Sequence, residues 1–259
     1  GFYVLDDYSA LRQIDADMLR SEAALFPVRD ARWYVPRRPL GCSTPDCLAS
    51  QGDAFYVAPN PPFGAVFTYY LPQAVLSQKE QRRAREEPLE AAGKDTTFPG
   101  WEAVTGEAIE DAPMMVLTVR DAAGRIVRNV PAPATAGFHR VAWDLRYTEM
   151  TPWAPPDEDE PYTPPAGVMA LPGSYTVTLS QRINGQMQTT GSPQSFAVKS
   201  IRDPVLAGPD QEQRLAFASQ AAELRRVVLG TVSAIDEMVL DLDAVQQTLD
   251  RSGVDPALY

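Results

Sequence analysis

The chain has 259 residues, 44% of them apolar, enough to bury a real core in one large domain or two ordinary ones. Its formal net charge is −11, with acid spread along the whole length, which argues against nucleic acid or an anionic membrane as a partner. No run of about 18 apolar residues could span a bilayer, and the first residues lack the basic-then-apolar layout of a signal peptide, so any export signal is expected upstream of Gly1.

The opening GFYVLDDYSALRQ reads as a strand over Gly1 to Leu5 with an Asp6-Asp7 turn behind it. A lone strand leaves its backbone groups unpaired, so it is expected either to join a sheet made later or to have lost its neighbours. Residues 9 to 62 lack sustained periodicity and are rich in proline, the pattern of wrapping polypeptide with one helical turn around Asp15 to Glu22. Inside it, GCSTPDCLASQG sets Cys42 and Cys47 in a loop, read as a local disulfide in an oxidising compartment, with two unpaired thiols as the reading for a reducing one. The spacing does not suit a CxxC redox or zinc half-site, and the single histidine could not complete a four-ligand cage.

FGAVFTYYL, residues 63 to 71, is a β-branched and aromatic strand framed by prolines. AVLSQKEQRRAREEPLEAA, from residue 74 to 92, mixes charges without an apolar stripe, so any helix there is a solvated surface insertion interrupted at Pro88. MMVLTVRDAAGRIVRNV alternates on both sides of Asp121-Ala-Ala-Gly124 and predicts a hairpin with Gly124 in the left-handed position. FHRVAWDLRY follows, with His139, Val141, Trp143 and Leu145 on one face. In LPGSYTVTLSQRINGQMQ, Pro172-Gly173 turns, Tyr175, Val177 and Leu179 share a face, and Asn184-Gly185 turns again before SFAVKS. These six or seven short strands predict an immunoglobulin-like antiparallel β-sandwich over residues 63–203, with a charged insertion at 74–112.

Beyond Gly208-Pro209, Asp210 with Gln213 can form a capping box, and residues 204–259 are expected to be one amphipathic helix. Its stripe runs Phe217, Ala221, Leu224, Val228, Val232, Ile235, Met238, Leu242, Val245, Leu249, close to a heptad seam, and stops at Gly253. A helix of about 40 residues would extend about 60 Å, past the end of a sandwich, so the stripe needs a partner or a bend near Gly230. Leu224, Val228, Ile235, Leu242, Val245 and Leu249 are the candidate interface. The chain is thus expected to be mainly β with α, an immunoglobulin-like sandwich between an irregular wrapping segment (1–62) and a long helix.

GFYVLDDYSALRQ, NPPFGAVFTYYL, the pair VLTVRDAAGRIVR and GFHRVAWDLRY, and LPGSYTVTL together resemble the C-terminal region of secreted bacterial β-propeller proteins of the Asp-box (BNR) or sortilin-like kind, often labelled glycosyl hydrolases. Residues 114 to 199 look like the immunoglobulin-like module also found in flagellar hook-capping proteins. The resemblance implies that Gly1 to Leu5 is the last strand of a propeller and that the protein is exported to the periplasm, the cell surface or beyond. The upstream propeller is then one partner; the apolar stripe itself asks for a second, either a helix-mediated partner or a following helix. The Cys42 to Cys47 loop and the 74–112 insertion have no counterpart in it.

Catalytic chemistry is poorly provided for. His139, the one histidine, lies mid-strand beside Val141 and Trp143, a packing position rather than a catalytic one. Asp157, Glu158, Asp159 and Glu160 form a solvated acidic cluster without the glycine-punctuated spacing of a calcium loop. No phosphate loop or metal-ligand cluster appears, so no catalytic residue, cofactor or metal is expected. Trp101 and Trp153, read as loop residues, are the candidate glycan contacts. The sequence therefore supports two functions: a non-catalytic accessory module that packs against domains or partners, and a carbohydrate-binding module assisting an attached glycoside hydrolase.

Overall fold

The computed structural model describes residues 7–20, 23–36, 61–151, 167–202, 210–253 and 255. About 35% of them are helical and 31% lie in strands, so the fold is mixed α/β rather than mainly β. The difference comes from the long C-terminal helix and from a second helix in the insertion. The chain divides into two compact units, one of Gly1–Arg146 with Leu171–Val205, the other of Tyr147–Ala170 with Leu206–Tyr259.

In the first unit the strands are β1 (Ala24–Leu25), β2 (Ala31–Trp33), β3 (Ala65–Leu71), β4 (Met114–Asp121), β5 (Ile126–Ala132), β6 (Gly137–Trp143), β7 (Gly173–Ile183) and β8 (Gln186–Ser200). They form a three-stranded sheet in the order β1-β3-β6 and a five-stranded sheet in the order β2-β8-β7-β4-β5, the latter curled into a half-barrel. The period-2 pattern of β3 is obeyed throughout: Ala65, Phe67, Tyr69 and Leu71 are buried and the residues between them are not. Register places Ala65, Phe67 and Tyr69 opposite Trp143, Val141 and His139, so the predicted face of β6 is the observed one. Leu145 is buried as well, but beyond the end of β6 and at φ 56°, so it reaches the core through a backbone reversal and not by alternation.

Aromatic side chains join the two sheets. Phe67 meets Phe196 edge-on at 5.6 Å, and the Trp143 ring lies 5.3 Å from Tyr175 and 6.3 Å from Phe196. The polar handles are satisfied locally: Trp143 Nε1 donates to the Arg146 carbonyl at 2.8 Å, and Tyr175 Oη to the Leu171 carbonyl at 2.6 Å. Tyr69 Oη donates to the Pro133 carbonyl at 2.5 Å, and burial pushes its phenol well above the ordinary tyrosine range. Tyr70 turns to the other face of β3 and packs on Phe138 at 4.7 Å.

Both predicted hairpins form. At the first, the Asp121 carboxylate accepts backbone N–H bonds from Ala123 and Arg125, both at 3.0 Å, while Gly124 takes φ 76°. At the second, Asn184 and Gly185 are both left-handed, the requirement of a type I′ turn. SFAVKS is not a separate strand but the end of the 15-residue β8, which continues through a register shift opposite Val177 and Leu179 near left-handed Gly191.

The wrapping segment departs from expectation. Its expected helical turn is the 3-10 turn Met18–Arg20, and a second such turn, Ala10–Gln13, precedes it. It also supplies β1 and β2, and β2 runs parallel to β8, so the sheets are not wholly antiparallel. Asp30 accounts for this: its carboxylate accepts the Ala197 N–H at 3.1 Å and pairs with Lys199, which pins Ala31 to Trp33 along the edge of β8.

The insertion holds two helices, α1 (Gln78–Ala91) and α2 (Trp101–Ile109), neither with a buried residue. Pro88 does not interrupt α1. It stands four residues from the end, and at the other end Ser77 and Glu80 form a capping box that offsets the one lost bond. Arg82 ties the pair together with two bonds to the Glu107 carboxylate, at 2.7 and 2.8 Å, and one to Glu86 at 2.6 Å.

The second unit is built on α3 (Gln211–Asp250), which passes Gly230 without interruption. Asp210 caps it by accepting from Glu212 N–H at 2.8 Å; the expected reciprocal bond with Gln213 is not the one formed. Beside it, Tyr147 N–H donates to the Val168 carbonyl at 2.8 Å, and Gly167 sits so close to the Tyr147 carbonyl that a Cβ there would lie 2.0 Å away.

Candidate functional site

The feature of α3 that most needs explaining is the face it leaves in water. At 3.6 residues per turn the stripe from Phe217 to Leu249 occupies one side of the helix, with Ala221, Val228, Ile235, Leu242 and Leu249 at successive heptad a positions. Phe217, Leu224, Thr231, Met238 and Val245 fall at the d positions between them. Of the predicted interface residues, Leu224, Val228, Ile235, Leu242 and Val245 are more than half exposed, and only Leu249 is half-buried. Val227, Val232 and Val239 flank the seam and are about half exposed too. Val227 and Val239 escaped a reading limited to steps of three and four; the full heptad would have found them.

α3 touches the rest of its own unit through a different face. Leu215, Ala218, Ser219, Ala222 and Leu229 are the partly covered positions, and Ser219, Ala222 and Arg225 line a small cavity of about 90 Å³ with residues 147–151, Gly167 and Val168. Arg225 also pairs with Glu149 at 3.9 Å. The small residues at 219 and 222 permit this close approach, and the seam is not needed for it.

Charge on α3 is uneven. Arg214, Arg225 and Arg226 lie in the N-terminal half, where Arg226 holds Glu223 at 2.5 and 2.9 Å, keeping that carboxyl below the ordinary glutamate range. The C-terminal half carries Asp236, Glu237, Asp241, Asp243 and Asp250.

Trp101 opens α2 instead of lying in a loop; it is 78% exposed and stacks edge-on against exposed Phe98 at 5.2 Å. Its predicted companion Trp153, the Cys42 and Cys47 pair and the acidic cluster 157–160 lie outside the described residues. His139 is engaged structurally: Nε2 is 2.6 Å from the Thr135 carbonyl and the ring stacks on Tyr69 at 5.0 Å.

An open groove of about 670 Å³ in the first unit runs over Val66 and Ala142 and is rimmed by Tyr34, Phe63 and Arg140. Its charges are mostly matched within the fold. Asp7 lies 3.7 Å from Arg29; burial raises its pKa, but bonds from Ser9 and the Arg29 charge outweigh this and leave it lowered. Asp30 is lowered by its bonds to Lys199 and Ala197. Among the described residues no group of three or more His, Cys, Asp or Glu could hold a metal ion, and no helix is long and apolar enough to cross a membrane.

Comparison with protein-family models, with curated proteins and with solved structures finds no match to this chain.

Proposed function

We propose that this chain is a non-catalytic accessory module of an exported bacterial protein, following a β-propeller and packing against other domains or partners through α3. In this reading its two sheets are an immunoglobulin-like sandwich, modified by the parallel β2 edge, and Cys42 is bonded to Cys47. One observation carries the proposal: α3 presents a heptad of large apolar side chains to solvent while docking on its own unit through another face. Each such side chain gains about 1.5–3 kcal/mol on full burial, and helical propensity alone does not hold such a face open in water. Leu242→Glu with Val245→Glu tests it. In the intact chain the seam either binds an apolar-surface dye or is covered by association, and the double substitution abolishes whichever occurs without loss of helicity. Dye binding and sedimentation that both ignore the substitution overturn the proposal.

Exposed Trp101 with Phe98 favours a second reading, a carbohydrate-binding module that stacks sugar rings on this pair for an attached glycoside hydrolase. Retention on a glycan array that disappears in Trp101→Ala supports it; absence of retention removes it.

A further inference from the structure

We infer that the α3 seam is self-complementary and that its occupant is the α3 of a second copy, running antiparallel. The inference rests on the packing role proposed above and adds the partner, the direction and the register.

Register follows from the heptad. Antiparallel helices pair a positions with d positions, and a two-fold axis at the level of Ser233 brings all five such layers together at once. Ala221 then meets Val245, Val228 meets Met238, Ile235 meets Thr231, Leu242 meets Leu224, and Leu249 meets Phe217. The smallest a residue and the one polar d residue, Ala221 and Thr231, each face a β-branched partner, so no layer sets Ala against Thr or Phe against Phe.

Direction follows from charge. A parallel pair would set Ala221 on Ala221, Thr231 on Thr231 and Phe217 on Phe217, and would gather Asp236, Glu237, Asp241, Asp243 and Asp250 of both copies at one end of the pair. The antiparallel register instead parts the two acidic halves to opposite ends, each beside the half that holds Arg214, Arg225 and Arg226 with only Glu212 and Glu223 as acids. The flanking positions Val227, Val232 and Val239 offer no charge pairs of their own, so apolar fit and these outer charges select the partner. The area suffices. Ten large apolar side chains, half to three-quarters exposed, present on the order of 600 Å² per copy. That reaches the lower end of the roughly 600–1,000 Å² per partner that stable specific interfaces bury.

Sedimentation velocity of the intact chain across a wide concentration range, with apolar-dye binding recorded alongside, tests the inference. A reversible dimer is expected, weakened about 100-fold or more by Leu224→Glu or Leu242→Glu, which face each other across two symmetry-related layers. Direction is read in a Cys42→Ser, Cys47→Ser background by mixing Val228→Cys chains with Met238→Cys chains: the mixed disulfide should dominate over both self-linked products. Self-linked Val228→Cys as the main product overturns the antiparallel register. A strictly monomeric chain whose seam binds dye overturns the second copy while leaving the packing role standing; a monomer that binds no dye overturns both.

Discussion

Replacing Trp143 by alanine should damage the first unit far more than replacing any other described tryptophan. Trp143 is 1% exposed, its ring stands against Tyr175 and Phe196 from the other sheet, and its Nε1 holds the Arg146 carbonyl at the exit from β6. Truncating a buried aromatic costs about 3–5 kcal/mol, and the Arg146 carbonyl loses a bond worth about 1 kcal/mol. In a unit of this size each kcal/mol moves Tm by about 2–4 °C, so a fall on the order of 10 °C or more is expected. Near-UV circular dichroism is the right probe, because it follows aromatic packing, to which α3 contributes only Phe217. Trp101→Ala, which removes an exposed ring, is the control and should leave Tm within about 2 °C. Equal shifts in the two variants would refute the claim that the sheets are joined through Trp143.

Gly64 has φ +106°, and a Cβ there would fall 1.8 Å from the Trp143 carbonyl oxygen, backbone that cannot swing aside. Gly64→Ala should therefore cost several times the roughly 1 kcal/mol expected at Gly124, where φ is +76° but space is open; similar denaturation midpoints for the two variants would contradict this. Glu107 is held below the ordinary glutamate range by its bonds from Arg82, which outweigh burial. A depressed folded pKa contributes stability above the unfolded value of about 4.3 that is lost as pH falls through the lower folded value. Helical chemical shifts of α2 should accordingly decay in acid, and Arg82→Ala should remove that dependence there, whereas α1 keeps an acid loss of its own through the lowered Glu80 of its capping box; decay of α2 that persists in the variant would disprove the clamp. Protein made in an oxidising compartment should show the Cys42 and Cys47 thiol hydrogens missing by mass spectrometry without reductant, and two free thiols would refute the disulfide.

The parts of the fold that could be read from the sequence are those where pattern and packing coincide. β3 alternates cleanly because one face is core and the other is not, and the two β-hairpins carry glycine or asparagine where the backbone must be left-handed. β1 and β2 were illegible because strands of two and three residues are too short to show a period. β2 is held instead by Asp30, through a contact with Ala197 and Lys199 that no local window contains. α1 was obscured by Pro88, although the Ser77-Gln-Lys-Glu80 capping box was there to be read. α2 has no side-chain cap, only left-handed Gly100 ahead of Trp101, and offered little to find.

The candidate site shows the opposite limit. Period alone picked out an apolar stripe along α3, yet it could not say whether that stripe was the face by which the helix joins its own unit. Large apolar side chains suggest burial, and the simplest expectation would turn them inward. Small ones settle the matter: Ser219 and Ala222 allow the 147–151 segment to approach closely, and Arg225 reaches Glu149, so the docking face needs no large residue. Sequence hydrophobicity ranks faces by how much they gain on burial, whereas close packing selects the face whose shape fits. Where the two criteria choose different sides of one helix, the side rich in Leu, Val and Ile stays exposed, and that exposure is the ground on which association through α3 is proposed.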